Sequence, residues 1–221
     1  MGPEPPLRQS GALMRPIVAF DFDGTLTVED SFTAFLRWRT TAARHALGMA
    51  RLAPAAVAWL GHRDRGRIKA AAVREFLRGH PREALEAEAE AFMEAVWDRF
   101  MRPDALACWE DWGRRGAWRV IVTASPEITV EPFARRLKAE ALLGTRLKFD
   151  AADLVAGAFD GVNCRGDEKV RRLRQTYGED VRLAAAYGDT SGDAEMLEIA
   201  DEQGFRVFTG RPERTDQSPS G

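Results

Sequence analysis

Apolar residues fall into short unbroken runs near both ends of the chain and into helical stripes between them. Pro16-Ile17-Val18-Ala19-Phe20 is apolar throughout and closes on Asp21, the pattern of a buried strand. Gly24-Thr25 then turns the chain. From Ser31 to about Gly116 no strand pattern occurs. Ser31–His45, Arg67–Leu77 and Arg82–Phe100 carry apolar residues at helical spacing, and Leu85, Ala89, Phe92, Met93, Val96 and Trp97 share one face of the last. Pro54, Gly66, Gly79-His80-Pro81 and Pro103 are expected to divide this block into several helices. A second strand, Trp118–Val122, runs into Thr123-Ala124-Ser125-Pro126. Ser125 as N-cap and Pro126 as first residue predict a helix to about Leu137. Leu142–Asn163 has short apolar runs broken by glycine and reads as short strands with a hairpin. Asp167–Tyr177 reads as helix, Val181–Tyr187 as a central strand, Ser191–Ala200 as helix and Phe205–Phe208 as a last strand.

Strands alternate with helices outside the Ser31–Gly116 block, which predicts an α/β fold with a mostly parallel sheet and an all-helical insert after the first strand. The expected boundaries are a core of residues 16–30 and 103–210 and an insert of residues 31–102. Residues 1–15 and 211–221 are expected to be disordered tails, with Met14 an alternative start. At 221 residues, against about 150 per domain, the length allows a core and one insert.

Composition narrows the function. Apolar residues make up 45% and charged residues 30%, as in a globular protein. The balance of 32 basic and 34 acidic side chains argues against a nucleic-acid binder. Of the basic residues 28 are Arg and 4 are Lys, so each lysine draws notice. Cys108 and Cys164 are too few for a disulfide scaffold and fit a reducing cytoplasm. His45, His62 and His80 are too scattered for a metal motif. The apolar stretch Ala46–Gly61, broken by Arg51 and Pro54, is too short to span a bilayer.

The chemistry sits at strand ends. Asp21-Phe22-Asp23-Gly24-Thr25, Thr123-Ala124-Ser125 and Gly188-Asp189-Thr190-Ser191-Gly192-Asp193 each follow a predicted strand, and Lys169 lies near the start of a helix. In an open α/β sheet such segments converge on one crevice at the carboxyl ends of the strands. Four carboxylates there would repel one another unless a hard cation held them, and Mg²⁺ suits one or two carboxylates plus phosphate oxygens. Gly24 permits a tight turn that brings backbone N–H groups to an anion. No GxxxxGK[ST] occurs, which excludes a P-loop nucleotidase.

In order and spacing these segments resemble the four motifs of the haloacid dehalogenase superfamily. DFDGT at Asp21–Thr25 is similar to the first, the Val122-Thr123 strand end to the second, Lys169 to the third and GDTSGD at Gly188–Asp193 to the fourth. The helical insert resembles the C1-type cap of subfamily IB, the phosphoserine-phosphatase-like branch, which implies a Rossmann-like core. The stretches beginning at Asp21 and Asn163 also resemble a bacterial group of that branch that includes phosphatidylglycerophosphatase C-like proteins.

The resemblance implies a Mg²⁺-dependent phosphomonoester hydrolase acting on a small phosphorylated substrate. Asp21 would be the nucleophile and Asp23 the general acid and base. Mg²⁺ would sit on the Asp21 carboxylate, the Asp23 carbonyl and the Asp189 carboxylate. Thr123, Ala124 and Lys169 would bind phosphoryl oxygens, with Gly24 at the turn. Asp193 would hold a metal-bound water or the lysine. Thr123 departs from the serine common at its position but keeps the hydroxyl. Asp23, the extra acid needed for phosphoryl transfer, argues against carbon–halogen chemistry. Asp30 stands where the branch has a substrate-facing Glu, and helix capping is its other reading. Arg37, Arg39, Arg44, Arg63, Arg65 and Arg67 either face a second anionic group on the substrate or lie on a solvated surface. Ala46–Leu60 either packs in the insert or rests on a lipid surface, as a lipid-phosphate phosphatase would require. A protein-binding module on the same scaffold is the remaining alternative. Oligomeric state is not addressed by the sequence.

Overall fold

The structure, a computed structural model, describes residues 15–62 and 65–213, with residues 53–62 and 65 described through their backbone. Most of the two expected tails, and Met14, lie outside it.

The elements in chain order are β1 (Ile17–Phe20), α1 (Ser31–Arg39), α2 (Ala42–His62), α3 (Arg65–Phe76), α4 (Arg82–Phe100), α5 (Pro103–Arg114), β2 (Trp118–Pro126) and α6 (Glu127–Arg136). They continue with β3 (Ala141–Thr145), β4 (Leu147–Phe149), β5 (Val155–Phe159), α7 (Asp167–Tyr177), β6 (Leu183–Gly188), α8 (Ala194–Glu198) and β7 (Ala200–Phe205). Five strands form a parallel sheet in the order β3-β2-β1-β6-β7. The chain therefore winds outward one way through β2 and β3 and the other way through β6 and β7. That reversal beside β1 is where α/β sheets open a crevice.

The unbroken apolar run of β1 follows from burial on both faces. Ile17 and Ala19 face a core with Leu173 of α7 and Met196 and Leu197 of α8. Val18 and Phe20 face a larger core with Trp109 of α5 and Phe133 of α6. This second core continues into the insert without a break, taking in Phe32 and Phe35 of α1 and Phe92, Val96 and Phe100 of α4. Phe133 is its hub, with ring centroids 5.3 Å from Phe22, 6.0 Å from Phe92, 6.1 Å from Trp97 and 5.9 Å from Phe100. Where the chain leaves and re-enters the core, Thr27 and Met101 pair in antiparallel fashion. The Val28 N–H donates to the Phe100 carbonyl and the Arg102 N–H to the Leu26 carbonyl.

The α/β class, the parallel sheet and the helical character of the insert agree with the sequence reading. The short strands and hairpin expected in Leu142–Asn163 are there as well: β3 joins the main sheet beside β2, and β4 pairs with β5. Three local expectations do not agree. Pro54 does not divide the insert, because α2 runs from Ala42 through it to His62. Ser125 does not cap a helix: β2 continues through Pro126, which is itself the N-cap of α6. The last strand is Ala200–Phe205, not Phe205–Phe208. It is an edge strand, where backbone pairing with β6 decides the register and the side chains Asp201, Glu202 and Gln203 stay exposed. An apolar criterion misses such a strand.

Candidate active site

The ends of β1, β2 and β6 and the start of α7 meet over Lys169. Its Nζ lies 2.6 Å from each of Asp21 Oδ1, Asp193 Oδ1 and the Val122 carbonyl, so all three of its protons are placed. The ammonium and both carboxylates are buried. Burial alone would push Lys169 down, yet Asp21 and Asp193 hold it above the usual lysine range. Burial pushes Asp21 up to about 7, against the pull of Lys169 and helped by the charges of Asp193 and Asp23. Asp193 goes the other way. Burial opposes it, but Lys169 and the Thr190 donors keep its carboxyl below the usual range. Its Oδ2 accepts from the Asp189 N–H and from the N–H and hydroxyl of Thr190.

Asp21, Asp189 and Asp193 each present a carboxylate oxygen, all within 4.8 Å of one another. Asp189 Oδ1 is buried without a hydrogen-bond partner among the described residues. Burial and the charge of Asp193 raise the Asp189 carboxyl above its ordinary value. An all-oxygen set with one orphaned buried acceptor is a donor set for a hard divalent cation, so the Asp21 and Asp189 carboxylates fit Mg²⁺, with Asp193 engaged by Lys169 and Thr190 beside them. Gly24, at φ +80°, makes room for the cluster, since a Cβ there would lie 2.3 Å from Asp189 Oδ2.

Asp23 points to the insert side. Its Oδ1 accepts from the Ser31 N–H at 2.7 Å and its Oδ2 from the Ser125 hydroxyl at 2.5 Å. Lys69 of α3 donates to Ser125 Oγ at 3.1 Å and pairs with Asp30 Oδ2 at 3.1 Å and Asp23 Oδ2 at 3.7 Å. Burial, then the Asp30 charge, raise the Asp23 carboxyl; Lys69 and the Ser125 hydroxyl pull it back in part. Asp30 takes both of its alternatives. Its Oδ1 caps α1 at the Thr33 N–H, and its Oδ2 faces Lys69 at the site.

Thr123 and Ala124 lie at the C-terminal part of β2. Thr123 is fully buried and its Oγ1 accepts from the Ser125 N–H at 3.1 Å. Ala124 lines the crevice, a cavity of about 100 Å³ shared with Asp21, Asp23, Lys69 and Lys169. The insert arginines are elsewhere: Arg37 pairs with Glu29, Arg39 with Glu88 and Arg44 with Glu75. Arg63 and the side chain of Arg65 lie outside the described residues, and Arg67 is exposed. A larger cleft of about 580 Å³, bordered by α4, α6 and the β4–β5 hairpin, contains none of this chemistry.

A family model for haloacid dehalogenase-like hydrolases matches residues 18–198, from β1 into α8. The chain belongs to that family. This haloacid dehalogenase-like chain is 56% identical to Protein CicA of Caulobacter vibrioides over 196 residues, 89% of this chain and 88% of that protein. Its fold is shared by a Bordetella pertussis Tohama I protein of unknown function (TM-score 0.71, 22% identity, 86% of this chain and 89% of that one). It is also shared by substrate-bound phosphoserine phosphatase (TM-score 0.59, 18% identity, 87% and 86%) and by a phospho-aspartyl intermediate analogue of phosphoserine phosphatase (0.58, 19%, 86% and 85%).

Two members of the site escaped the sequence reading. Ser125 reads as a helix cap because Ser-Pro at a strand end is a capping signal. Lys69 sits among arginines, and only its rarity as one of four lysines marks it.

Proposed function

We propose that this chain is a cytoplasmic, Mg²⁺-dependent phosphatase that hydrolyses monoesters of small phosphorylated metabolites through an aspartyl-phosphate on Asp21. The observation that carries the reading is the triad of Asp21, Lys169 and Asp193 beside a second carboxyl, Asp23, held at a separate pole of the same crevice. In the first half-reaction an Asp21 carboxylate oxygen bonds to phosphorus as the ester oxygen leaves with the Asp23 proton. In the second, Asp23 takes a proton from water, whose oxygen bonds to phosphorus, and Asp21 is released with inorganic phosphate. Burial raises the Asp23 carboxyl above its ordinary value, the direction that favours its holding a proton to give. Lys169 fixes the direction of the Asp21 carboxylate and, with the Ala124 N–H, would face phosphoryl oxygens. Asp21, Asp189 and the Asp23 carbonyl would hold Mg²⁺, which supplies charge neutralisation between the nucleophile and the phosphoryl group. Residues 31–102 would act as the lid, with Lys69 the group it brings to the reacting centre.

The test is phosphate release from phosphoamino acids, sugar phosphates, nucleotides and phosphatidylglycerophosphate, with Mg²⁺ or with EDTA. Release from at least one class with Mg²⁺ is expected, with loss in EDTA. Mg²⁺ at about a hundred times its dissociation constant should also stabilise the fold by about 2.7 kcal/mol. Full activity in excess EDTA would remove the metal from the proposal. A lipid-phosphate substrate is the second reading. It is favoured by Trp38, Leu47 and Met49 on α1 and α2, which are 39%, 50% and 48% exposed. Among the described residues no helix is long and apolar enough to cross a membrane.

Lys69→Met is expected to shift the pH profile. The Lys69 charge favours ionised Asp23, so its removal raises the Asp23 carboxyl further. The pH–rate limb assigned to Asp23 should then move to higher pH, read from kcat/KM between pH 4 and 9. An unmoved limb would separate Lys69 from the acid–base group.

A further inference from the structure

The loop Asn163–Gly166 leads into α7 and forms the core-side wall of the crevice. The Gly166 N–H donates to the Gly192 carbonyl at 2.9 Å, which ties this loop to the one after β6. Arg165 lies flat against Gly192: a Cβ there would sit 2.4 Å from an Arg165 terminal nitrogen and 2.7 Å from its Cγ. The absence of a side chain at Gly192 leaves the space that the arginine stem and guanidinium occupy. Arg165 lines the same cavity as Asp21, Asp23 and Lys169.

Its charge is unused. Lys169 is held between Asp21 and Asp193 at the reacting centre, and Lys69 between Asp30 and Asp23 with a hydrogen bond to Ser125. Arg165 makes one side-chain hydrogen bond, to Ser191 Oγ at 3.1 Å, and no ion pair among the described residues. Nearby, Asn163 Oδ1 accepts from the Thr145 hydroxyl at 2.9 Å, leaving its NH₂ group without a partner among the described residues. A half-buried guanidinium with spare donors beside a carboxamide N–H pair is a donor set for a carboxylate or phosphate. The phosphoryl group under attack already has Lys169 and the metal carboxylates on its side of the crevice. Insert arginines are paired already: Arg37 with Glu29, Arg39 with Glu88, Arg44 and Arg51 with Glu75, and Arg82 with Asp153.

We propose that Arg165, backed by Asn163, selects substrates that carry a second anionic group besides the phosphoryl group. This rests on the phosphatase reading and adds a substrate class to it: phosphomonoesters with a carboxylate or a second phosphate a few bonds from the ester.

Matched pairs test it: 3-phosphoglycerate against glycerol 3-phosphate for a carboxylate, and fructose 1,6-bisphosphate against fructose 6-phosphate for a phosphate. The charged member of at least one pair should be preferred in kcat/KM by wild type, mainly through KM. The pair that responds identifies which anion is read. Arg165→Ala should lower that preference by about tenfold or more, the scale of a charge-assisted hydrogen bond, and Arg165→Lys should restore part of it. Calorimetric binding of the same pairs to Asp21→Asn, with and without Arg165→Ala, gives a readout that needs no turnover. If wild type and Asp21→Asn show no preference in either pair, or Arg165→Ala keeps it, the assignment of Arg165 is overturned. If binding to Asp21→Asn shows the Arg165-dependent preference but wild type releases no phosphate, the phosphatase reading is what has failed.

Discussion

Asp21→Asn is expected to give a folded protein whose phosphatase turnover is at least about a thousandfold below wild type, because an amide cannot serve as the nucleophile. Its stability should carry the second signature. The Asp21 carboxyl is raised to about 7 in the folded protein, chiefly by burial. A carboxyl raised in this way binds its proton more tightly in the folded state. It therefore costs stability progressively as pH rises from the ordinary carboxylate range through about 7. The amide removes that cost. In EDTA the variant should melt at or above the wild-type temperature at pH 8, with its relative advantage shrinking towards pH 4. Retention of near-wild-type turnover would sink the nucleophile assignment. A collapse of Tm at pH 8 would show that Asp21 contributes more to Lys169 than burial takes away.

The largest loss of stability is expected for Lys169→Met. The side chain is similar in volume, but Asp21 and Asp193 lose the cation between them and remain buried with their charges 2.6 Å from where Nζ stood. Breaking a buried pair from one side costs about 3–5 kcal/mol. The pH dependence follows from the sign. Without Lys169 both carboxyls rise, the folded state binds more protons, and the deficit grows as pH rises and narrows as it falls. Thermal unfolding in EDTA at pH 5 and pH 8 should show the larger gap at pH 8. Mg²⁺ should recover part of it by taking the lysine's place as the local positive charge, while turnover stays lost for want of a phosphoryl ligand. Equal Tm deficits at both pH values would mean that the lysine acts by packing and not by charge.

Where the sequence could be read, the reason is that chemistry and burial leave marks in local residue order. Strand β1 shows because both its faces are covered, and Asp21, Asp23, Asp189 and Lys169 show because each sits at a fixed offset from an element boundary. The face of α4 shows through its 3.6-residue period. What stayed hidden depends on long-range pairing. β7 is polar because it is an edge. Ser125 serves Asp23, 102 residues earlier in the chain, and not the helix that follows it. Lys69 comes to the site only because α3 brings it within hydrogen-bond reach of Ser125 on β2. Arg165 is one of 28 arginines until Gly192 brings it to the crevice.

The position of β1 at the centre of the sheet sets an order on synthesis. Of the five strands of the sheet this one is made first, yet its neighbours begin about a hundred residues later, where Ile17 pairs with Trp118, and later still, where Val18 pairs with Ala185. Until β6 is made, a strand with no polar side chain has an open edge, the configuration most prone to pairing with another chain. Contacts of such long sequence separation also make folding slow. The helices between β1 and β2 need no distant partner to form, and Phe32 and Phe35 of α1 and Phe92 and Phe100 of α4 belong to the same apolar core as Val18 and Phe20 of the strand. The segment that contributes Lys69 to the crevice is thus also the first available to shield the central strand in the nascent chain.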